Sequence, residues 1–468
     1  VKKITFFLLF YTCAMAWGQA QPCNCNNQFD FLKNYVETNY AGFSDKLQLF
    51  TVAAYNKHTG AIKAKLPRAK KEAHCLYLLS KWLEFFKDGH IQLGYHGNVN
   101  TDDTATVKQL LAKAERILLK PAQLKSLSKK NNIEGIYWFR DSSYKIAVVH
   151  APTSFRDYAA VVLQSKTNLW QPGMVKFELK QNGKNKFDCI FYYRDHHAAL
   201  PDYVYNNGIF NNNEWIKEGA TPSPQAQQQQ DAPLVYSKTI SDKTHYIRIG
   251  SFDASYGTDV DSLLRADSST LNNTPNLILD LRGNGGGADF VYAPLLPYLY
   301  TNAINTIGAD VLATKDNIEA WQPLLSNPDL PDATKQWVKK LLANMQANIG
   351  RFVSVADDET LILRSIKKYP EKIVILIDNG CASTTEQLLL AAMQSKKVTL
   401  MGQPSAGVLD YANMRNRPLP CLPYTLSYAT TRSRRVPEQA IDNKGIAPAV
   451  VLNRDTDWIY AAQQYMEL

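Results

Sequence analysis

Two turns in the sequence hold the residue types that acyl-transfer chemistry needs. One follows the apolar run 373–377 and reads Asp378-Asn379-Gly380-Cys381-Ala382-Ser383-Thr384-Thr385-Glu386. The run reads as a buried strand, the small residues as a tight turn, and the stretch from Thr384 as a helix. A serine at a helix N-terminus lies where the dipole favours an alkoxide, and the Thr384 N–H can face the same space. Ser383 is therefore the candidate nucleophile. The plainer reading is an N-cap, with Glu386 three residues on completing a capping box. Cys381 is a rival nucleophile, although in an oxidising compartment a buried structural thiol suits it better.

The other turn follows the strand-like run 276–281 and reads Arg282-Gly283-Asn284-Gly285-Gly286-Gly287-Ala288. Glycines this dense permit positive φ and let backbone N–H groups point into open space. Such amides hold an anion, whether a phosphate or a developing oxyanion. Gly283, Gly285 and Ala288 also satisfy the dinucleotide-binding spacing, but no acidic residue follows near position 300, and Asp280 and Arg282 flank the turn. A tight strand-to-helix connection is the plain alternative. Taken together, one turn offers a hydroxyl and the other offers donors for the charge that its attack creates.

Positioning these turns requires a sheet. Strands at 246–249, 277–281, 372–378 and 398–401 alternate with helices at 260–265, 290–300 and 384–394, so 234–468 reads as an α/β domain with a mainly parallel sheet. Its sites belong at the carboxyl ends of the strands. A helical insertion at 315–350 interrupts it. Upstream, 21–130 reads as a helical region with helices at 29–40 and 73–87. The second stops at Asp88-Gly89-His90, and 91–93 follows as a strand. Residues 131–220 form a small β-rich module, with strands at 136–139, 144–150, 174–180 and 187–193, and 221–233 is a Pro- and Gln-rich linker.

Four segments in order carry a family resemblance: 279–287 around Asp280 and Gly283, 380–386 around Ser383, Gly402 to Gly407, and Lys444-Gly445-Ile446-Ala447-Pro448. The pattern resembles the C-terminal-processing and tricorn-type serine peptidases. The resemblance implies a crotonase-like (ClpP/crotonase) catalytic core with Ser383 as nucleophile. It implies an oxyanion hole built from Thr384 and a glycine of 285–287, Gly286 first and Gly287 next. The processing branch uses a lysine base just after the glycine matched by Gly407, where this chain has Val408. The tricorn-type branch uses a histidine from earlier in the chain, matched by His90, and a carboxylate matched by Asp442. Gly89 replaces that branch's serine before the histidine. An imidazole titrating near neutrality can take the hydroxyl proton and return it to the leaving amine. Asp88 is an alternative orienting group, Lys444 an alternative base, and a surface or helix-capping histidine the plain reading of His90. The carboxylate-binding loop of a PDZ module is missing from 133–210. The implied partner is a peptide or protein substrate, with no metal and no cofactor; the alternative is a non-catalytic ligand- or peptide-binding protein on the same fold.

Composition fits a globular chain of 468 residues, 45% hydrophobic and 20% charged. The formal charge is +9, but the basic residues are scattered, with clumps at Lys129-Lys130 and Arg434-Arg435 and no nucleic-acid motif, so they read as solvated faces. Lys2-Lys3, the apolar run 4–16 and the small residues Gly18 and Ala20 read as a signal peptide over 1–20. Export to a periplasmic or extracellular space follows, without stable membrane insertion after cleavage. Phe10-Tyr11-Thr12 before Cys13 lacks the small residue of a lipoprotein box. Cys23 and Cys25 are each placed to pair with Cys75, and spacing alone does not choose between them. His196 and His197, adjacent in sequence, would point apart on a strand and make a poor zinc site.

Overall fold

The computed structural model describes residues 24–127, 129–130, 132–211, 213–221 and 233–468. The expected signal peptide, Cys23 and all but the ends of the expected linker lie outside them.

The chain begins with α1 (Cys25–Asn39), α2 (Phe43–Phe50), α3 (Val52–Lys63) and α4 (Glu72–Leu83). Asn24 caps α1 by accepting from the Asn27 amide, and a disulfide joins Cys25 to Cys75 on α4. The sequence reading missed α2 and α3. In α3 only Tyr55, Thr59 and Ile62 are buried, and Asn56 and Gly60 lower its intrinsic propensity, so packing rather than pattern makes the helix. The expected helix at 73–87 ends early. A 3₁₀ turn at Glu84–Phe86 and Lys87 at φ 45° swing the chain outward into Asp88-Gly89-His90. Strand β1 (Gln92–Tyr95) follows.

After α5 (Thr104–Lys113) and α6 (Pro121–Leu127) come nine antiparallel strands: β2 (Gly135–Phe139), β3 (Tyr144–His150), β4 (Tyr158–Ser165), β5 (Val175–Gly183), β6 (Lys186–Tyr192), β7 (Ala198–Ala199), β8 (Asp202–Asn206), β9 (Ile209–Phe210) and β10 (Trp215–Lys217). Their order is β5-β4-β3-β2-β10-β9-β8-β6, and β6 pairs back onto β5. The β-rich module is thus a closed barrel of eight strands, with β7 appended to β6. Closure leaves no free edge among the eight, and Tyr137, Phe177, Phe210 and Trp215 are buried in its core. His196 and His197 lie in the turn before β7, not on a strand.

The α/β part starts with β11 (Val235–Ser241), antiparallel to β12 (Thr244–Ile249). Next come α7 (Gly257–Ala266), α8 (Ser268–Leu271), β13 (Asn276–Asp280), α9 (Asp289–Tyr292) and α10 (Leu296–Leu299). The expected helix at 290–300 is broken because Pro294 and Pro297 withhold N–H donors from it. Strands β14 (Ile304–Thr306) and β15 (Ala309–Leu312) lead into the helical insertion, α11 (Lys315–Trp321) and α12 (Asp332–Ala347). The chain returns through β16 (Phe352–Ala356) and β17 (Glu359–Leu361) to β18 (Lys372–Ile377), α13 (Thr384–Ala392) and β19 (Val398–Gly402). It closes with the hairpin β20 (Tyr411–Pro418) and β21 (Tyr424–Ser433), then β22 (Val450–Val451) and α14 (Trp458–Glu467).

Strands β12, β13, β18, β19 and β22 run parallel and lie in chain order. In the β13–β18 pair Asp280 stands opposite Leu376, so both glycine-containing turns leave the same end of adjacent strands. The hairpin anchors a second sheet, in which β20 lines one edge of β21 while β1 pairs with the start and β15 with the end of its other edge. The amino-terminal helices have no separate core. Phe29, Leu79, Trp82 and Phe86 pack into one cluster with Leu422, Tyr424, Leu426 and Tyr428 of the hairpin segment. That shared core holds the turn at Asp88–His90 against the α/β domain.

Candidate active site

Ser383 caps α13 with φ 57° and ψ −123°, a conformation that costs a non-glycine residue energy and persists only where neighbours impose it. The neighbours are identifiable. The Ser383 amide donates to the Val408 carbonyl (3.0 Å) and to Glu386 Oε2 (3.1 Å). Glu386 is fully buried and also accepts from Ser405 Oγ (2.6 Å) and the amides of Gly407 (2.7 Å) and Val408 (2.8 Å). One carboxylate thereby clamps the turn 405–408 to the turn at Ser383. The capping-box reading accounts for the Glu386 bond to the Ser383 amide. The box is reciprocal, with the Ser383 hydroxyl turned toward the Glu386 amide, and the same Oγ lies 3.3 Å from Nε2 of His90, a contact that capping does not require.

The glycine turn is stitched beneath. Fully buried Asn284 accepts the Ala382 amide at its carbonyl (3.1 Å) and the Thr385 hydroxyl at Oδ1 (2.8 Å), while its Nδ2 donates to the Ile249 carbonyl (3.1 Å). Thr384 Oγ1 donates to the Gly287 carbonyl (2.9 Å). A Cβ on Gly286, at φ 99°, would stand 2.7–2.9 Å from Ala382 O, Ser383 Cβ and Thr384 N. A Cβ on Gly287 would stand 1.9 Å from the Phe252 carbonyl oxygen. Glycine at both positions is thus a condition for the two turns to meet. The Gly286 amide, first choice from sequence as an anion donor, is committed to Asn284 Oδ1 (3.0 Å). Among the described residues nothing accepts from the amides of Gly287 and Thr384. Below the turn, Asp280 is buried, which alone would raise its pKa. Arg282, through a bond from Nε (2.9 Å), and the charge of Arg248 (3.2 Å) hold it below the ordinary carboxylate value, and the Tyr246 hydroxyl also donates to it (2.9 Å).

His90 is carried in by the Asp88-Gly89-His90 turn. Asp88 Oδ1 accepts the His90 amide (2.8 Å), and Oδ2 accepts the Tyr40 hydroxyl (2.5 Å). The remaining imidazole nitrogen, Nδ1, is buried without a hydrogen bond and lies 3.9 Å from Asp88 Oδ1. Burial, reinforced by the nearby charge of Asp442, raises the Asp88 pKa, while His90 and Lys46 act against that rise. Asp442, the carboxylate expected to orient the histidine, is engaged elsewhere. Its Oδ2 pairs with buried Lys46 (3.1 Å), and its Oδ1 accepts the amides of Leu409 (3.2 Å) and Asp410 (3.0 Å). The carboxylate beside the imidazole is Asp88.

Gly89 and Val408 face each other, since a Cβ on residue 89 would come 3.0–3.1 Å from the Val408 methyls. Lys444 is exposed and donates to the Ala440 carbonyl (3.3 Å). Cys381 is buried, donates to the Leu281 carbonyl (3.1 Å), and has its pKa pushed up to about 12 by burial, which keeps it a thiol. The sequence reading missed Asn284, Thr385, Glu386, Tyr40 and Lys46 as parts of this site. Glu386 carried a signal, the capping spacing. Tyr40 and Lys46 carried none, because only the tertiary fold brings them to Asp88 and Asp442.

Comparison with known proteins agrees with this geometry. The model of peptidase family S41 matches residues 243–452, the segment holding Ser383, the glycine turn, Glu386 and Asp442. His90 lies outside it. No curated protein matches the chain in sequence. Among solved structures, mature CPAF is similar over 95% of this chain and 96% of its own, at 14% identity and TM-score 0.50. Mature CPAF complexed with lactacystin has the same identity and TM-score, over 95% and 97% of the two chains. A putative peptidase from Parabacteroides merdae ATCC 43184 matches over 95% and 98%, at 13% identity and TM-score 0.46. At such identities the CPAF structures speak to the fold; residues 243–452 match the model of peptidase family S41, and the chain is a serine-type peptidase.

Proposed function

We propose that the protein is an exported endopeptidase that cleaves peptide bonds through an acyl-enzyme on Ser383, with His90 as general base. The observation that carries this reading is the 3.3 Å approach of His90 Nε2 to Ser383 Oγ across 293 residues of sequence. As Oγ attacks the scissile carbonyl carbon, Nε2 takes its proton, and the oxyanion settles on the amides of Gly287 and Thr384. The imidazolium then protonates the leaving amine. Water attacks the ester with the same nitrogen as base, which releases the acid and restores the hydroxyl. Asp88 is the carboxylate that stabilises the imidazolium, and its bond to Tyr40 fixes its orientation. A parallel sheet whose strands follow chain order supports a crotonase-like core. The basic-apolar-small order of 1–20 and the Cys25–Cys75 disulfide support export.

A fluorophosphonate probe tests the reading. Wild type is expected to label at Ser383, Ser383→Ala not at all, and His90→Ala far more slowly. A folded wild type that takes no label overturns it and leaves a binding protein on the same fold.

A further inference from the structure

Strand β1 begins two residues after His90 and is paired on one side only, with β21. The register is antiparallel, Gln92 to Ser427 through Tyr95 to Tyr424, and continues in the bond from the His96 amide to the Pro423 carbonyl (3.1 Å). In an antiparallel ladder the residues that bond a given neighbour alternate. Residues 92, 94 and 96 therefore face β21, and the backbone N–H and C=O groups of Leu93 and Tyr95 face away from it. Among the described residues nothing pairs with that outer edge. It opens onto a cavity of about 660 Å³ between α4, β1 and the barrel segment at 198–202. The facing barrel strand does not compete, because the outward amide and carbonyl of Ala198 are both met by the Tyr424 hydroxyl (3.0 and 2.7 Å). The same cavity is lined by Asp88 and Gly89, so it ends at the turn that carries His90.

An unpaired edge in a cleft has a definite chemical complement: an extended peptide, whose own backbone supplies the missing donors and acceptors at every second residue, about 6.8 Å apart. We propose that the free edge of β1 is the docking strand for the substrate, which adds to the β1–β21 sheet and is led along it to Ser383. The proposal rests on the peptidase reading above and names what that site takes: a chain extended for several residues beyond the scissile bond, recognised through its backbone. Leu93 and Tyr95 are three and five residues from His90, roughly 10 and 17 Å along a strand. The pairing therefore falls about three to five residues from the cleaved bond, on one side of it.

The experiment uses the full chain carrying Ser383→Ala and a fluorescein-labelled decapeptide of alternating threonine and valine with a lysine at each end. Affinity is read by anisotropy as each backbone nitrogen is methylated in turn. Only alternate residues of an added strand face β1, so the losses are expected at every second position, about five- to tenfold each, with the positions between unchanged. Uniform losses, losses confined to one position, or no binding of the parent peptide overturn the proposal. Leu93→Pro removes one outward N–H and no bond to β21, so it is expected to weaken the parent peptide by a similar factor. Fluorophosphonate labelling of the corresponding Leu93→Pro single variant reports on fold and on Ser383 separately. Alternation without labelling of wild type indicts the peptidase reading alone, whereas labelling without alternation indicts the docking strand alone.

Discussion

Asp88→Asn separates two carboxylates that sequence alone ranks in the wrong spatial order. The substitution keeps shape: an asparagine oxygen can still accept the His90 amide and its neighbour can still face the Tyr40 hydroxyl, so the turn is retained. What disappears is a negative charge 3.9 Å from His90 Nδ1. Two unit charges at that separation interact by about 4 kcal/mol at an effective dielectric of about 20, the value suited to such sites. That interaction exists only once the imidazole is protonated, in the transition state and the tetrahedral intermediate. Its loss therefore lowers kcat more than it raises KM, by about three powers of ten. The assay is kcat/KM on a quenched fluorescent peptide, with the rate of fluorophosphonate labelling alongside. Asp442→Asn is the control. Its carboxylate is bonded to Lys46, so its removal strands a buried ammonium and costs about 3 kcal/mol or more of stability, with a smaller effect on the chemical step. It also removes one of the influences that raise the Asp88 pKa. Should Asp88→Asn keep activity within threefold of wild type while Asp442→Asn abolishes labelling in folded protein, the assignment of Asp88 is refuted.

Gly286→Ala places a methyl 2.7 Å from Ala382 O and 2.9 Å from both Ser383 Cβ and Thr384 N at a positive φ, so labelling is expected to slow by about a hundredfold or more and the melting temperature to fall with it. Glu386→Gln sets an NH2 against two of the four donors that the carboxylate accepts, inside a dry site; a stability loss of about 3 kcal/mol by urea denaturation is expected, together with loss of labelling. In the barrel, Lys176 is buried and donates to the Tyr192 carbonyl (2.6 Å), and burial lowers its pKa to about 7. An ammonium group with a depressed folded-state pKa contributes stability that is complete above its ordinary value and is lost as pH falls toward the folded value. Wild type is therefore expected to lose about 2–3 kcal/mol between about pH 9.5 and about pH 7.5, and Lys176→Met to flatten that slope.

The legible parts of the fold were those in which local pattern and tertiary context agree. Strands β3, β13, β18 and β19 are apolar and largely buried, and their sequence bounds agree with the structure to within about two residues. The hairpin β20–β21 was not legible. Its first strand, Tyr411–Pro418, carries Asn413, Arg415, Asn416 and Arg417 with no apolar alternation, and it is paired with a strand that packs against the amino-terminal helices. Barrel closure was equally hidden, because the pairing of β6 with both β5 and β8 is set by long-range contacts that leave no trace in the alternation of either strand. At the site, the sequence pointed to the hydroxyl and the imidazole but not to the groups that hold them. Nucleophile and glycine turns have a local grammar of small residues. A clamp such as Glu386 or Asn284 is an ordinary polar residue until burial removes its water.

Gly89 and Val408 are two halves of one arrangement. The backbone of residue 408 is fixed on both sides, its amide by Glu386 and its carbonyl by the Ser383 amide, so its side chain has one direction to take, and that direction ends at Gly89. A long cationic side chain at 408 and an imidazole delivered from 88–90 would compete for the same volume beside Ser383. Once the amino-terminal turn brings the base, position 408 must be short and apolar, and residue 89 must be small enough for the turn to close over it. The absence of a lysine there is thus a steric consequence of where the histidine enters. The aromatic core that α4 shares with the hairpin, the β1–β21 pairing and the Lys46–Asp442 ion pair belong to the same arrangement, because they hold together the two parts of the chain that must meet.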